Sequence, residues 1–146
     1  MRSPFRLKWV VASLSAVLIA LAGGYGALTI ENSALKHWAS TTWITQRAAL
    51  HGDLYSITSD GQAGNNSLVV TDCDTLLKDV STFSPPPRVL FSKDVSDWDA
   101  LMESMKSFGY TCRSYFNSGT DPSGPNILRR ELGLMSERFK VFANDV

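Results

Sequence analysis

The sequence predicts an α/β chain in which an N-terminal transmembrane helix is followed by a small, mostly parallel sheet of roughly three to five strands with covering helices. Three observations predict it. Residues 9–30 form a stretch of 22 residues without a charge. Short apolar runs rich in β-branched and aromatic residues alternate with helical periodicity from Leu68 onward. Glycine, proline and asparagine clusters separate them. Strand and helix in alternation fit a parallel sheet, because parallel neighbours need a crossover and the helices cover the sheet's faces.

The elements follow in chain order. Residues 1–8 carry Arg2, Arg6 and Lys8 with no acidic residue, so the positive-inside rule keeps this end in the cytoplasm. At about 1.5 Å per residue, residues 9–30 are long enough to cross a hydrocarbon core of ~30 Å. Trp9 and Tyr25 suit the two interfacial belts. Ala12, Ala16, Ala20 and Gly24 place a small residue at every fourth position, a ridge on which two membrane helices can approach closely. A cleavable signal peptide is the alternative, since Ala20, Leu21 and Ala22 form an A-x-A site and Gly23, Gly24 and Gly26 follow. Both readings put the remainder of the chain outside the cytoplasm, in the periplasm for an inner-membrane anchor.

Residues 31–53 read as a juxtamembrane helix or stalk carrying Leu35, Trp38 and Ile44, with a strand around Thr42–Thr45 as the alternative. Trp38 and Trp43 are expected to pack against the domain or its partner. His51, Gly52 and Asp53 read as a stop. Residues 54–146 are the extracytoplasmic domain. Leu54–Thr58 is a short strand, Ser59–Ser67 a loop, and Leu68–Thr71 a strand. Asp74–Phe83 is a helix with Leu76, Leu77, Val80 and Phe83 on one face. Ser84–Pro87 is a break that no helix crosses. Arg88–Ser92 is the next strand, and Ser96 with Asp99 opens a helix carrying Trp98, Leu101, Met102, Met105 and Phe108, which Gly109 ends. Tyr110–Phe116 is a third strand and Asn117–Pro125 a loop. A final helix over Asn126–Phe142 has its apolar stripe at Leu128, Leu132, Met135, Phe139 and Phe142.

Composition limits the function classes. The 146 residues include 14 Lys plus Arg and 14 Asp plus Glu, a balance that argues against a general nucleic-acid binder. Beyond the apolar segment 11 basic residues face all 14 acidic ones, so the external part is mildly acidic. Two cysteines are too few for a four-cysteine zinc site, and His37 and His51 stand far from any partner at metal-ligand spacing. No metal or other cofactor is expected. Cys73 and Cys112 lie where thiols oxidise. They either form a bridge, closing a loop of about 40 residues and worth ~3–4 kcal/mol, or stay as two separately buried thiols. In a parallel sheet they would sit at opposite strand ends, and Cα atoms more than about 7 Å apart cannot be bridged.

Asp72-Cys73-Asp74 after an apolar run resembles the first motif of haloacid-dehalogenase-type phosphohydrolases, with Ser92 closing the next strand where that family places a phosphate-binding Ser or Thr. The resemblance implies Mg-dependent phosphoester hydrolysis, with Asp72 as nucleophile or metal ligand, Asp74 as acid/base and Ser92 as phosphate binder. The plainer reading, preferred here, gives Asp72 or Asp74 to capping the following helix. The strand-to-helix loops would gather Ser92, Lys93, Asp94, Asn117, Ser118, Thr120, Asp121 and Ser123 along one polar edge, where α/β sheets bind ligands. Arg129, Arg130, Arg138 and Lys140 make the last helix basic, either as a solvated face or as a docking face for an acidic partner or lipid headgroups.

The features favour a binding module over an enzyme. The expected protein is a single-pass membrane protein with an extracytoplasmic domain, an accessory or assembly subunit of an envelope complex. Its expected partner is another membrane protein, or a second copy, met through the membrane helix. A cleaved-signal periplasmic or secreted binding module is the alternative.

Overall fold

A computed structural model describes residues 33–87, 93–119 and 124–145. Helices α1 (Ser33–Trp38) and α2 (Ile44–Ala63) are joined by a π-helical turn over Ala39–Trp43. Helices α3 (Asn66–Thr82), α4 (Lys93–Ser118) and α5 (Gly124–Asp145) complete an antiparallel, up-and-down helical bundle in which α3 packs on α2, α4 on α3 and α5 on α4. Among the described residues there is no strand, so the α/β expectation is corrected to an all-helical fold.

The correction has a local physical origin. Leu54–Thr58, Leu68–Thr71 and Tyr110–Phe116, all expected as strands, lie inside α2, α3 and α4. Their β-branched and aromatic residues favour strands only weakly, and packing overrides such preferences. Burial follows helical spacing straight through them: Leu50, Leu54 and Ile57 on α2, Val69, Cys73, Leu76 and Val80 on α3, and Leu101, Met105, Phe108 and Cys112 on α4. The hydroxyls of Thr58 and Thr71 donate to the carbonyls four residues back, at 2.7 and 3.2 Å, so neither competes with the helix by bonding elsewhere. The expected strand Arg88–Ser92 lies outside the described residues.

Three expected stops are also corrected. Helix α2 runs through His51, Gly52 and Asp53. Helix α4 runs through Gly109, where a Cβ would come within 2.7 Å of Leu77 Cδ2 on α3. That glycine serves a close approach between helices and ends nothing. The expected loop Ser59–Ser67 contracts to a tight turn. Gly64, at φ 74°, donates to Gly61 O (3.2 Å), and Asn65 donates to Asp60 O (2.9 Å). This is the paired-bond C-cap that a left-handed glycine allows. Asn65 also opens α3, its Oδ1 accepting from Leu68 N–H at 3.5 Å and from Ser67 Oγ at 3.1 Å.

Other expectations hold. Helix α5 contains the stripe Leu128, Leu132, Met135, Phe139 and Phe142, all buried. The stretch at Ser84–Pro87 is non-helical, as its prolines require. The helix expected within residues 31–53 is present from Ser33 onward, as α1, the π-turn and the start of α2.

The first helix enters the bundle at the end where α5 finishes. There Trp38, Trp43, Trp98 and Phe142 interlock, with Phe139 against Trp43. The π-turn builds this cluster. Residues five apart on an α-helix point about 140° away from each other, yet Trp38 and Trp43 stack at 6.0 Å with their planes 12° apart. A π-turn, closing i to i+5, brings them to one face. The wider turn frees carbonyls from the usual ladder, and hydroxyls bond to that backbone: Ser40 and Thr41 both donate to His37 O, at 3.1 and 2.7 Å.

Candidate functional site

Cys73 on α3 and Cys112 on α4 form a disulfide with Cα atoms 6.1 Å apart. In antiparallel helices, residues on facing stripes meet at one height, which removes the geometric objection that a parallel sheet raised. Both cysteines are completely buried, so the bond is a core staple away from solvent reductants. One residue further along each helix, Arg113 and Asp74 form an exposed ion pair at 3.2 Å.

Asp72 and Asp74 therefore diverge. Both stand in the middle of α3, where neither can cap a helix N-terminus, and Asn65 does that work. Asp74 turns to Arg113 of α4 and Asp72 to Asp60 of α2. The pairing of Asp72 with Asp74 at a strand end, on which the phosphohydrolase resemblance rested, is not formed. Ser92, Thr120, Asp121 and Ser123 lie outside the described residues, as do Ala12, Ala16, Ala20 and Gly24. Asn117 and Ser118 are the last exposed turn of α4.

What Asp72 joins is a row of carboxylates that sequence reading missed. Asp53 and Asp60 on α2 face Asp79 and Asp72 on α3, each pair symmetric about Asn66 in the α2–α3 hairpin. Burial first, then the charges of Asp79 and Asp72, push the Asp53 carboxyl from its ordinary 3.8 up to about 7. Burial, then the hydrogen bond and charge of Asp60, push Asp72 up to about 6. Burial, with neighbouring negative charge added to it, thus favours the protonated form of Asp53 and Asp72. The signal in the sequence was the seven-residue spacing: Asp53 to Asp60, and Asp72 to Asp79. Among the described residues no group of three His, Cys, Asp or Glu is placed to hold a metal ion.

The charged face of α5 is real but mixed. Arg129, Arg130, Arg138 and Lys140 are all exposed, and Arg130 pairs with Glu131 at 3.4 Å. Glu131 itself is buried and accepts from Ser107 Oγ on α4 at 2.6 Å. Trp38 and Trp43, expected to pack on the domain or a partner, are in the domain's own core. Their rings and those of Trp98 and Phe142 lie with centroids 5.2–6.2 Å apart, ordinary aromatic contact that leaves no room for an inserted ligand.

No helix among the described residues is long and apolar enough to cross a membrane, and residues 9–30 lie outside them. The chain matches no protein-family model, no curated protein and no solved structure.

Proposed function

We propose that this chain is a single-pass membrane protein whose disulfide-stapled helical bundle stands outside the cytoplasm and acts by binding, as an accessory or assembly subunit of an envelope complex. The observation that carries the reading is the buried Cys73–Cys112 bridge. Disulfides persist in oxidising compartments and are rare in the cytosol. The bridge thus agrees with the polarity read from Arg2, Arg6 and Lys8 before the uncharged segment.

The test is made on the protein from its native host. Alkaline extraction leaves an anchored chain in the membrane pellet. Protease added outside the cytoplasmic membrane digests the bundle, and the intact mass retains residues 1–30. A mature N-terminus at Gly23 removes the anchor and leaves a released binding module. That second reading is favoured by one feature of its own: Ala20, Leu21 and Ala22 form an A-x-A site followed by Gly23 and Gly24.

A further inference from the structure

We propose that α2 is a proton-controlled arm: it stays docked on α3 while the carboxyls along their shared interface hold protons, and it detaches as a unit from an intact α3–α4–α5 core as they ionise.

The packing order sets α2 apart. Among the described residues, helix backbones come close in the pairs α2–α3, α3–α4 and α4–α5, so α2 is an outer member with α3 as its close helical neighbour. The other interfaces carry polar or covalent ties. Helices α3 and α4 are joined by the Cys73–Cys112 bridge and the Arg113–Asp74 pair. Helix α5 is tied to α4 by the hydrogen bond from Ser107 to the buried Glu131. Between α2 and α3, carboxyls stand on both sides: Asp53 and Asp60 against Asp79 and Asp72. Trp43, seated against Phe139 and Phe142, belongs to the π-turn and holds the chain just before α2.

Local sequence leaves α2 dependent on that interface. Between Ile44 and Ala63 stand Gly52 and Gly61, with Thr45, Ser56, Thr58 and Ser59, residue types that lower helix propensity. Without packing, such a helix is marginal in water. Both its ends are joints, the π-turn over Ala39–Trp43 and the left-handed Gly64 at φ 74°. A helix bounded by joints and docked on one neighbour is the kind of segment that opens locally, at less cost than global unfolding.

The chemistry of the interface makes that opening proton-dependent. Asp60 and Asp72 are hydrogen-bonded to each other, which two carboxyls manage only while one of them carries a proton. Oδ2 of Asp53 and Oδ2 of Asp72 are each shut from water without a hydrogen-bond partner, a costly setting for a charge. Burial, then the charges of Asp79 and Asp72, push Asp53 up to about 7, and Asp72 stands at about 6. On α2 itself, His51 and Arg47 are the other titratable or charged groups, both half-buried. On α3, Lys78 is exposed and Asp74 turns to Arg113 of α4; the π-turn carries no titratable side chain.

Once α2 detaches, its carboxyls and those of α3 meet water and return toward the ordinary 3.8. Docking therefore takes up protons between about pH 4 and pH 7, and it weakens as pH rises through that window. For Asp53 alone, the full change from 3.8 to about 7 corresponds to about a thousandfold in the docking equilibrium. Half the group meets water, and a change of about tenfold is expected.

The test follows backbone amide exchange for deuterium in the full chain in detergent, by mass spectrometry of peptides, at several values between pH 5 and pH 8. Each rate is divided by the intrinsic rate of the unstructured chain at the same pH. Peptides covering residues 50–62 are expected to be less protected than those covering residues 105–112 throughout, and to lose about tenfold of their protection from pH 5 to pH 8. Asp53→Asn combined with Asp72→Asn is expected to remove that loss, and Asp74→Asn to keep it. Circular dichroism and an intact Cys73–Cys112 bond show whether the double variant folds. If it does not, Asp79→Asn replaces it and is expected to reduce the loss to about threefold. Protection in α2 no lower than in α4 at every pH makes the bundle one all-or-none unit and overturns the arm. An α2 protection that is indifferent to pH, or a pH dependence that survives the neutralising substitutions, overturns it as well.

Discussion

Reduction of the Cys73–Cys112 bridge tests the staple with no atom larger than hydrogen added or removed. The two residues are 39 apart in sequence, and the chain-entropy relation for a loop of that length gives about 4 kcal/mol at 25 °C. A domain of this size has a total stability of ~5–15 kcal/mol, so the staple holds a large share of it. Both cysteines are buried in the bridged state, and the magnitude is worked as loop closure alone. The assay is urea unfolding of the full chain in detergent, followed by circular dichroism, with and without a thiol reductant. With a slope of roughly 2 kcal/mol per molar, the midpoint falls by about 2 M on reduction. A fall of less than about 0.5 M, at unchanged slope, refutes the entropic account of the staple. Two freely alkylated thiols in protein taken from its native host, without any reductant, refute the compartment argument as well.

The carboxylate row predicts a pH dependence. Asp53 binds its proton more tightly folded than unfolded, so between pH 4 and pH 7 the folded state holds the extra proton and stability falls as pH rises through that window. Asp53→Asn is expected to match the parent below pH 4 and to exceed it by about 1–2 kcal/mol at pH 8, the full shift being discounted because half the group meets water. Thermal unfolding across that range checks it, and a parent that gains stability from pH 4 to 8 contradicts the arrangement. Two glycines are expected to respond in opposite directions. Gly109→Val drives a side chain into Leu77 and costs about 2 kcal/mol. Gly133→Ala enters open space on α5 and stabilises by about 0.5–1 kcal/mol. Chemical denaturation of the two variants side by side measures both. Ser107→Ala leaves the buried Glu131 Oε2 without that donor, and a loss of about 1–3 kcal/mol is expected on the same assay.

The helical stripes were more legible than the strand propensities. In α5, Leu128 to Phe142 keeps one period, nothing interrupts it, and the helix is where the sequence places it. In α3 the same kind of stripe begins at Val69, inside Leu68-Val69-Val70-Thr71, and a run of β-branched residues reads as a strand there. Three apolar residues and a threonine in a row fit a buried helix segment as well as a strand. The spacing Val69, Cys73, Leu76, Val80, carried across the supposed boundary, was the signal that distinguishes them. Gly109 misled for a different reason. A glycine at a helix end and a glycine under a crossing side chain look alike in sequence, and only the position of Leu77 tells them apart.

The candidate surfaces divide in the same way. The basic residues of α5 were legible because charge is written in each residue, and all four are exposed. The carboxylate row was not, since Asp53 and Asp79 become neighbours only when the α2–α3 hairpin closes.

By itself the sequence determined the uncharged 22-residue segment with its basic flank, the helix-breaking prolines after Ser84, and the stripe of α5, because each is a local property of composition or period. Tertiary structure decided that Leu54–Thr58, Leu68–Thr71 and Tyr110–Phe116 are helical and that Cys73 meets Cys112. It also set Asp72 and Asp74 toward different neighbours. Those outcomes depend on which segments bury one another. Packing energy summed over a whole helix exceeds the small propensities of the residues within it.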